Sequence, residues 1–176
     1  VSITNGEASD KSNNRAGNDS YSNSLYIIGI DIDHGDSARV YNNSVYIGGV
    51  NGGTQNSECL RFEFYNGSNT NADVRNNLLV NNRTGSGDHI AVVVETPDTN
   101  FVAGTFNHNT YITSDAAKVC QWGQGNNRSF DQWKTNSQSD KQSWYASTTE
   151  IDPANLFVDA AGGNLNINYN NTEAWI

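Results

Sequence analysis

Apolar and polar positions along the chain fall into one short pattern that occurs three times. The units are Val40-Tyr41-Asn42-Asn43-Ser44-Val45, Val74-Arg75-Asn76-Asn77-Leu78-Leu79 and Phe106-Asn107-His108-Asn109-Thr110-Tyr111. Each reads apolar, two variable residues, Asn, one variable residue, apolar. The Asn advances by 34 residues and then by 32. A near-fixed period in this range marks a solenoid, in which each repeat buries its apolar face by stacking on the next.

The blocks between the units are short and rich in β-branched and aromatic residues, so they read as strands. The second rung takes strands from 40–47, 58–65 and 72–74, with turns at Asn51-Gly52-Gly53 and Asn66-Gly67. The third takes 74–80 and 90–95, with turns around 83–88 and at Pro97-Asp98. The first follows if 25–30 aligns with 60–65, which leaves 7–20 as an inserted polar loop, expected to be mobile.

Strands joined by turns rather than helices predict an all-β chain folded as a right-handed parallel β-helix of about four rungs. It is read as one domain over 1–176: a first rung with its loop at 1–39, rungs at 40–73 and 74–105, then a last rung and cap at 106–176. Neighbouring strands in such a stack lie about 4.8 Å apart, so equivalent residues form columns. Asn43, Asn77 and Asn109 are therefore expected to make an internal ladder, each amide bonding to the next, because buried polar groups must be paired. Asn is common in this chain, so the apolar positions flanking these three carry the argument.

After Tyr111 the repeat degrades, as terminal solenoid repeats do. Ser129 reads as the N-cap of a short helix with Phe130 and Trp133 on one face. Residues 152–159, Gly162-Gly163 and an alternating Leu165, Ile167, Tyr169 strand complete the cap. Trp122, Trp133, Trp144 and Trp175 are read as its core.

A hydrophobic fraction of 35% and a mean hydropathy of −0.66 would suit disorder, but disordered chains lack the regular apolar blocks seen here. A net charge of −9 and a pI near 4.5 argue against nucleic acid and anionic membrane surfaces as partners. Apolar runs are far shorter than the roughly 20 residues of a membrane span. Val1-Ser2-Ile3-Thr4-Asn5-Gly6 is similar to Val45-Tyr46-Ile47-Gly48-Gly49, so the chain is read as starting inside a rung, a fragment of a longer protein.

Candidate chemistry is sparse. Asp31, Asp33 and Asp36 form the densest acidic cluster, with His34 inside it, and two carboxylates on one strand face would suit Ca²⁺. The competing reading is a solvated strand end. His34, His89 and His108 lack metal-ligand spacing, and His108 occupies a variable position of the unit. Cys59 and Cys120 fall two rungs apart, roughly 10 Å. That exceeds the ~7 Å Cα limit for bridging, so two buried free thiols are expected. Tyr26, Tyr46, Phe62 and Phe64 are candidate sugar-stacking residues, since alternation turns part of each strand outward.

Three stretches carry a family resemblance: Asn-Asn-Ser-Val-Tyr-Ile-Gly-Gly from Asn42, Val-Arg-Asn-Asn-Leu-Leu-Val-Asn-Asn from Val74, and Ser-Phe-Asp-Gln-Trp from Ser129 with Leu-Phe-Val-Asp from Leu156. Together they resemble right-handed β-helix regions of large secreted or cell-surface proteins of Bacteroidetes, exported by the type IX system and pectate-lyase-like in fold. The chain departs from that pattern where Ala154-Asn155 separates Asp152-Pro153 from Leu156-Phe157. The resemblance implies a secreted or cell-surface setting. It also implies, for an enzyme of this kind, carboxylates holding Ca²⁺ and Arg39 or Arg61 as base. Asp36-Ser37-Ala38 is similar to the O-glycosylation acceptor motif of that phylum, with Ser37 as the acceptor.

The resulting expectation is a non-catalytic extracellular β-helix segment, structural or adhesive, with a polysaccharide or surface glycan as candidate partner and Ca²⁺ as the one candidate cofactor. The alternatives are a polysaccharide lyase or glycoside hydrolase of pectate-lyase-like fold, and a subunit of a surface fibre assembled by end-to-end association.

Overall fold

A computed structural model describes residues 2–4, 10–12, 15–18, 26–33, 37–51, 53–63, 72–95 and 105–170, with side chains from Tyr26 onward except at Asp33 and Asn51. The chain forms a parallel β-solenoid of about three turns. Each turn visits three sheets in the same order. The first sheet stacks Ser2–Thr4, Ile27–Asp33, Ser57–Glu63, His89–Val94 and Cys120–Trp122. The second stacks Asp10–Ser12, Arg39–Tyr41, Asp73–Arg75 and Phe106–Asn107. The third stacks Arg15–Asn18, Ser44–Ile47, Leu78–Asn81, Thr110–Thr113 and Trp144–Ser147.

The repeated unit is the corner between the second and third sheets, not one continuous strand. Asn42, Asn76 and His108 hold φ of 54°, 57° and 56°, the left-handed region that turns the chain at that corner. Asn tolerates it better than most residues. His108 is thus a constrained turn residue rather than an ordinary variable site.

The residues read as an inserted loop contribute strands instead. Asp10–Ser12 pairs in parallel with Arg39–Tyr41, and Arg15–Asn18 with Ser44–Ile47. Lys11 stands where the other units carry Val40, Val74 and Phe106, and that substitution hid the repeat. The register of the first sheet also differs from the sequence alignment. Ile27 faces Ser57 and Ile30 faces Leu60, five residues away from the pairing of 25–30 with 60–65.

Strand alternation sorts the apolar residues into two cores. Ile30, Ile32, Leu60, Phe62, Val92 and Val94 of the first sheet point inward and meet Val45, Leu79 and Tyr111 of the third. On the opposite face of the third sheet, Tyr46, Val80, Ile112 and Ala146 point outward. They would lie bare if nothing packed on them. Ile151, Leu156, Phe157 and Leu165 cover them, and the Phe157 ring meets Tyr46 edge-on at 5.9 Å. The tail from 151 to 167 therefore folds back along the solenoid wall instead of closing its end.

The end is closed by α1 (Phe130–Ser137). Ser129 caps it in a capping box with Gln132, which satisfies exposed first-turn donors. Trp133 is fully enclosed and packs edge-on against Phe106 and Trp122. Trp144, by contrast, is 45% exposed and contributes nothing to this cap. Cys59 and Cys120 are free and buried. Cys120 faces Val92, which faces Leu60, so the thiols stand in adjacent columns.

Candidate functional site

The outer face of the first sheet gathers Tyr26, Asp31, Glu58, Glu63 and Glu95 around a single guanidinium, Arg61. Register brings Asp31 directly beside Arg61 and sets Glu63 two residues further on the same face. Arg61 Nη2 and Nε bond the two Asp31 oxygens at 2.8 and 3.0 Å, a bidentate fork. Its Nη1 reaches Glu63 Oε1 at 2.7 Å and approaches Glu95 Oε1 at 3.7 Å. Its guanidinium carbon lies 5.6 Å from the centre of the Tyr26 ring.

Glu58 is the most confined member, with its side chain 4% exposed. Tyr26 donates its hydroxyl proton to Glu58 Oε1 at 2.6 Å, while Oε2 lies 4.0 Å from Arg61 Nε, beyond hydrogen-bond reach. Burial pushes the Glu58 carboxyl up to about 7. The Tyr26 hydrogen bond and Arg61 charge pull it down, and the charges of Glu95 and Asp31 push it further up. Burial likewise raises the Tyr26 phenol, reinforced by its bond to Glu58. Burial works against the Arg61 charge, yet Asp31, Tyr26 and Glu63 together hold its proton more tightly than usual. The cluster is a charge-coupled clamp across three neighbouring strands with one carboxyl that titrates near neutrality.

Of the residues singled out as a Ca²⁺ site, Asp31 is held by Arg61. The Asp33 side chain and Asp36 lie outside the described residues, as do Phe64 and His34. Among the described residues, no group of three or more His, Cys, Asp or Glu is arranged to hold a metal ion. Ser37 sits at a turn with φ of 59°. The three aromatic candidates separate. Tyr26 is 41% exposed, but its ring carries Arg61 and its hydroxyl serves Glu58. Phe62 is fully enclosed because it alternates inward between Arg61 and Glu63. Tyr46 is only 9% exposed because the tail packs on it. Neither offers a ring to a sugar.

Asn43, Asn77 and Asn109 stand in one hydrogen-bonded column. Asn77 Oδ1 accepts from both the backbone N–H and the side-chain amide of Asn43, at 3.0 and 2.9 Å. Asn109 Oδ1 accepts the same pair from Asn77. The amides of Asn77 and Asn109 also donate to the Val40 and Val74 carbonyls of the preceding turn.

Two polar groups were invisible to pattern reading. At one inner corner Asn81 donates to the Ser57 and Ile90 carbonyls, and Ser57 Oγ lies 2.9 Å from His89 Nδ1. Burial, then the Arg83 charge, lowers the His89 pKa. Ser57 is fully enclosed, so the pair braces the corner rather than meeting a substrate. The second group is Asp140 with Ser143. Counting 34 residues on from Asn109 would have located Ser143, but Asp140 carries no spacing signal.

No protein-family model, curated protein or solved structure matches the chain. The described helices are too short and polar to cross a membrane.

Proposed function

We propose that the chain is a non-catalytic segment of an extracellular β-solenoid, structural or adhesive, that contacts a surface glycan. The observation that supports it is the state of Arg61. A lyase of pectate-lyase-like fold needs a basic side chain that can give up its proton at the sheet face. Arg61 is instead fixed by Asp31 and Glu63, whose charges strengthen its hold on that proton. The clamp ties successive turns together, which is work a stalk requires. The secreted setting and the likeness to Bacteroidetes surface proteins rest on the sequence resemblance. End-to-end fibre assembly is disfavoured at the end that α1 closes with Trp133.

The test is an absorbance assay for unsaturated uronide product, with polygalacturonate as substrate and Ca²⁺ present. No product is expected. Product formation that disappears in Arg61→Lys or Arg39→Lys would replace this reading with the lyase.

A further inference from the structure

The third sheet ends at strand Trp144–Ser147, whose far edge has no neighbouring strand among the described residues. A cleft of about 530 Å³ opens there, lined by Trp144, Tyr145, Glu150 and Ile151. That volume lies within the roughly 300–1,000 Å³ of small-molecule sites.

The strand's hydrogen bonds fix which backbone groups are left at its open edge. Trp144 N–H donates to the Asn109 carbonyl and Thr148 N–H to the Thr113 carbonyl. In a parallel ladder alternate residues bond the same neighbour, so Trp144 and Ala146 bond inward and Tyr145 and Ser147 face the open edge. Ser147 is already satisfied. Its N–H donates to Glu150 Oε2 at 2.8 Å, and its carbonyl accepts from Glu150 and Ile151. Ser143 N–H donates to the Asp140 carbonyl. Tyr145 is left with one donor and one acceptor at the edge, and neither has a partner among the described residues. An added β-strand needs a run of such pairs, so this edge cannot extend the sheet. A compact ligand can use one pair.

The remaining chemistry narrows the ligand. Trp144 is 45% exposed and offers an apolar ring. Glu150 is fixed through Oε2 to the Ser147 N–H and hydroxyl, and those bonds lower its pKa, so it is an ionised acceptor at neutral pH. An aromatic face, a carboxylate acceptor, one backbone donor and one backbone acceptor suit a molecule with a C–H face and a rim of hydroxyls. A simple cation would leave the Tyr145 N–H unmatched.

We infer that this cleft binds a neutral pyranose, with Trp144 stacking on the sugar's C–H face and Tyr145 backbone and Glu150 bonding its hydroxyls. The inference rests on the glycan-contacting part of the proposed function and gives that contact a place.

Saturation-transfer NMR of the full chain with methyl glucoside, methyl galactoside and methyl mannoside at millimolar concentration tests it, with tetramethylammonium as the cationic control. At least one pyranoside is expected to receive saturation on its ring C–H protons. Trp144→Ala should weaken that binding by roughly five- to tenfold, the share of an aromatic contact, and Trp144→Phe should retain most of it. Glu150→Gln, which keeps the shape, should weaken it as well, and serves if Trp144→Ala does not fold. Pyranoside binding undiminished in these variants would overturn the cleft while leaving glycan contact elsewhere. No pyranoside binding at all would overturn both, and binding of tetramethylammonium instead would overturn the ligand class.

Discussion

The side-chain amide of Asn109 donates to Asp140 Oδ1 across 3.1 Å, and that contact ends the Asn ladder. The next turn offers no Asn to receive Asn109, so two residues divide the task. Ser143 Oγ accepts the Asn109 backbone N–H at 2.8 Å, and Asp140 takes the amide. Asp140 also accepts from Tyr111 and from the Trp133 indole, at 2.8 and 2.7 Å, and bonds the Ser143 hydroxyl. Its own N–H donates to the Phe106 carbonyl at 2.7 Å, from a backbone with φ of 54°. One carboxylate thus joins the ladder, the core and the capping helix.

Asp140→Asn keeps the size but places an NH₂ against a ring of donors. At least one buried donor then loses its acceptor, at a cost of about 3 kcal/mol. Equilibrium urea denaturation should show the loss as a lower midpoint. An unchanged midpoint would mean the cap is held by Trp133 packing alone.

Asn77 is the ladder's central member and serves both neighbours, accepting two bonds from Asn43 and donating to Asn109. Asn77→Ala should therefore cost about 3 kcal/mol or more through buried groups left unpaired. Thermal melts of the variant and the parent chain measure the loss, and an unchanged melt would contradict the account of a continuous ladder.

Gly29 sits where a Cβ would come within 2.5 Å of Val45 Cγ1 and 2.7 Å of the Cys59 carbonyl oxygen. The second obstacle is backbone, which cannot swing aside. Gly29→Ala should destabilise the chain by about 1–3 kcal/mol through overpacking. A melt unchanged by this substitution would mean that the first and third sheets approach less closely at this point.

What the sequence disclosed and what it hid follow from which interactions repeat. The corner Asn residues recur because each turn needs the same buried amide, so their spacing, with the flanking apolar positions and the strand-like blocks between them, discloses the ladder and the fold. The Arg61 clamp occurs once and depends on register. Aligning 25–30 with 60–65 slides the first strand by an odd number of residues, which exchanges its faces and separates Asp31 from Arg61. Phe62 stands as a surface candidate because alternation alone does not say which residues of a strand face outward. Asp140 escaped notice because it reaches the ladder from outside the repeat, through a turn only the folded chain provides. The C-terminal segment reads as an end cap because the repeat degrades after Tyr111, but the outward Tyr46, Val80 and Ile112 that it covers are apparent only once the sheet faces are fixed.

Glu58 gives the clamp a pH dependence whose sign can be worked out. Its carboxyl titrates near 7 in the folded chain, raised from 4.5 chiefly by burial. The folded state therefore binds the proton more tightly than the unfolded state. The stability this supplies is full below about pH 4.5, and it is lost as pH rises through 7. A tenfold difference in proton affinity is worth about 1.4 kcal/mol, so the loss amounts to at most a few kcal/mol. Glu58→Gln stays neutral at every pH and can still accept the Tyr26 hydroxyl. Its melting temperature should change less than that of the parent chain between pH 5 and about 8. Asp31, Glu63, Glu95 and Arg61 are present in both proteins, so the difference between the two melting curves isolates Glu58. Parallel curves across that range would show that Glu58 is ionised throughout, and that Arg61 neutralises it despite the 4.0 Å gap.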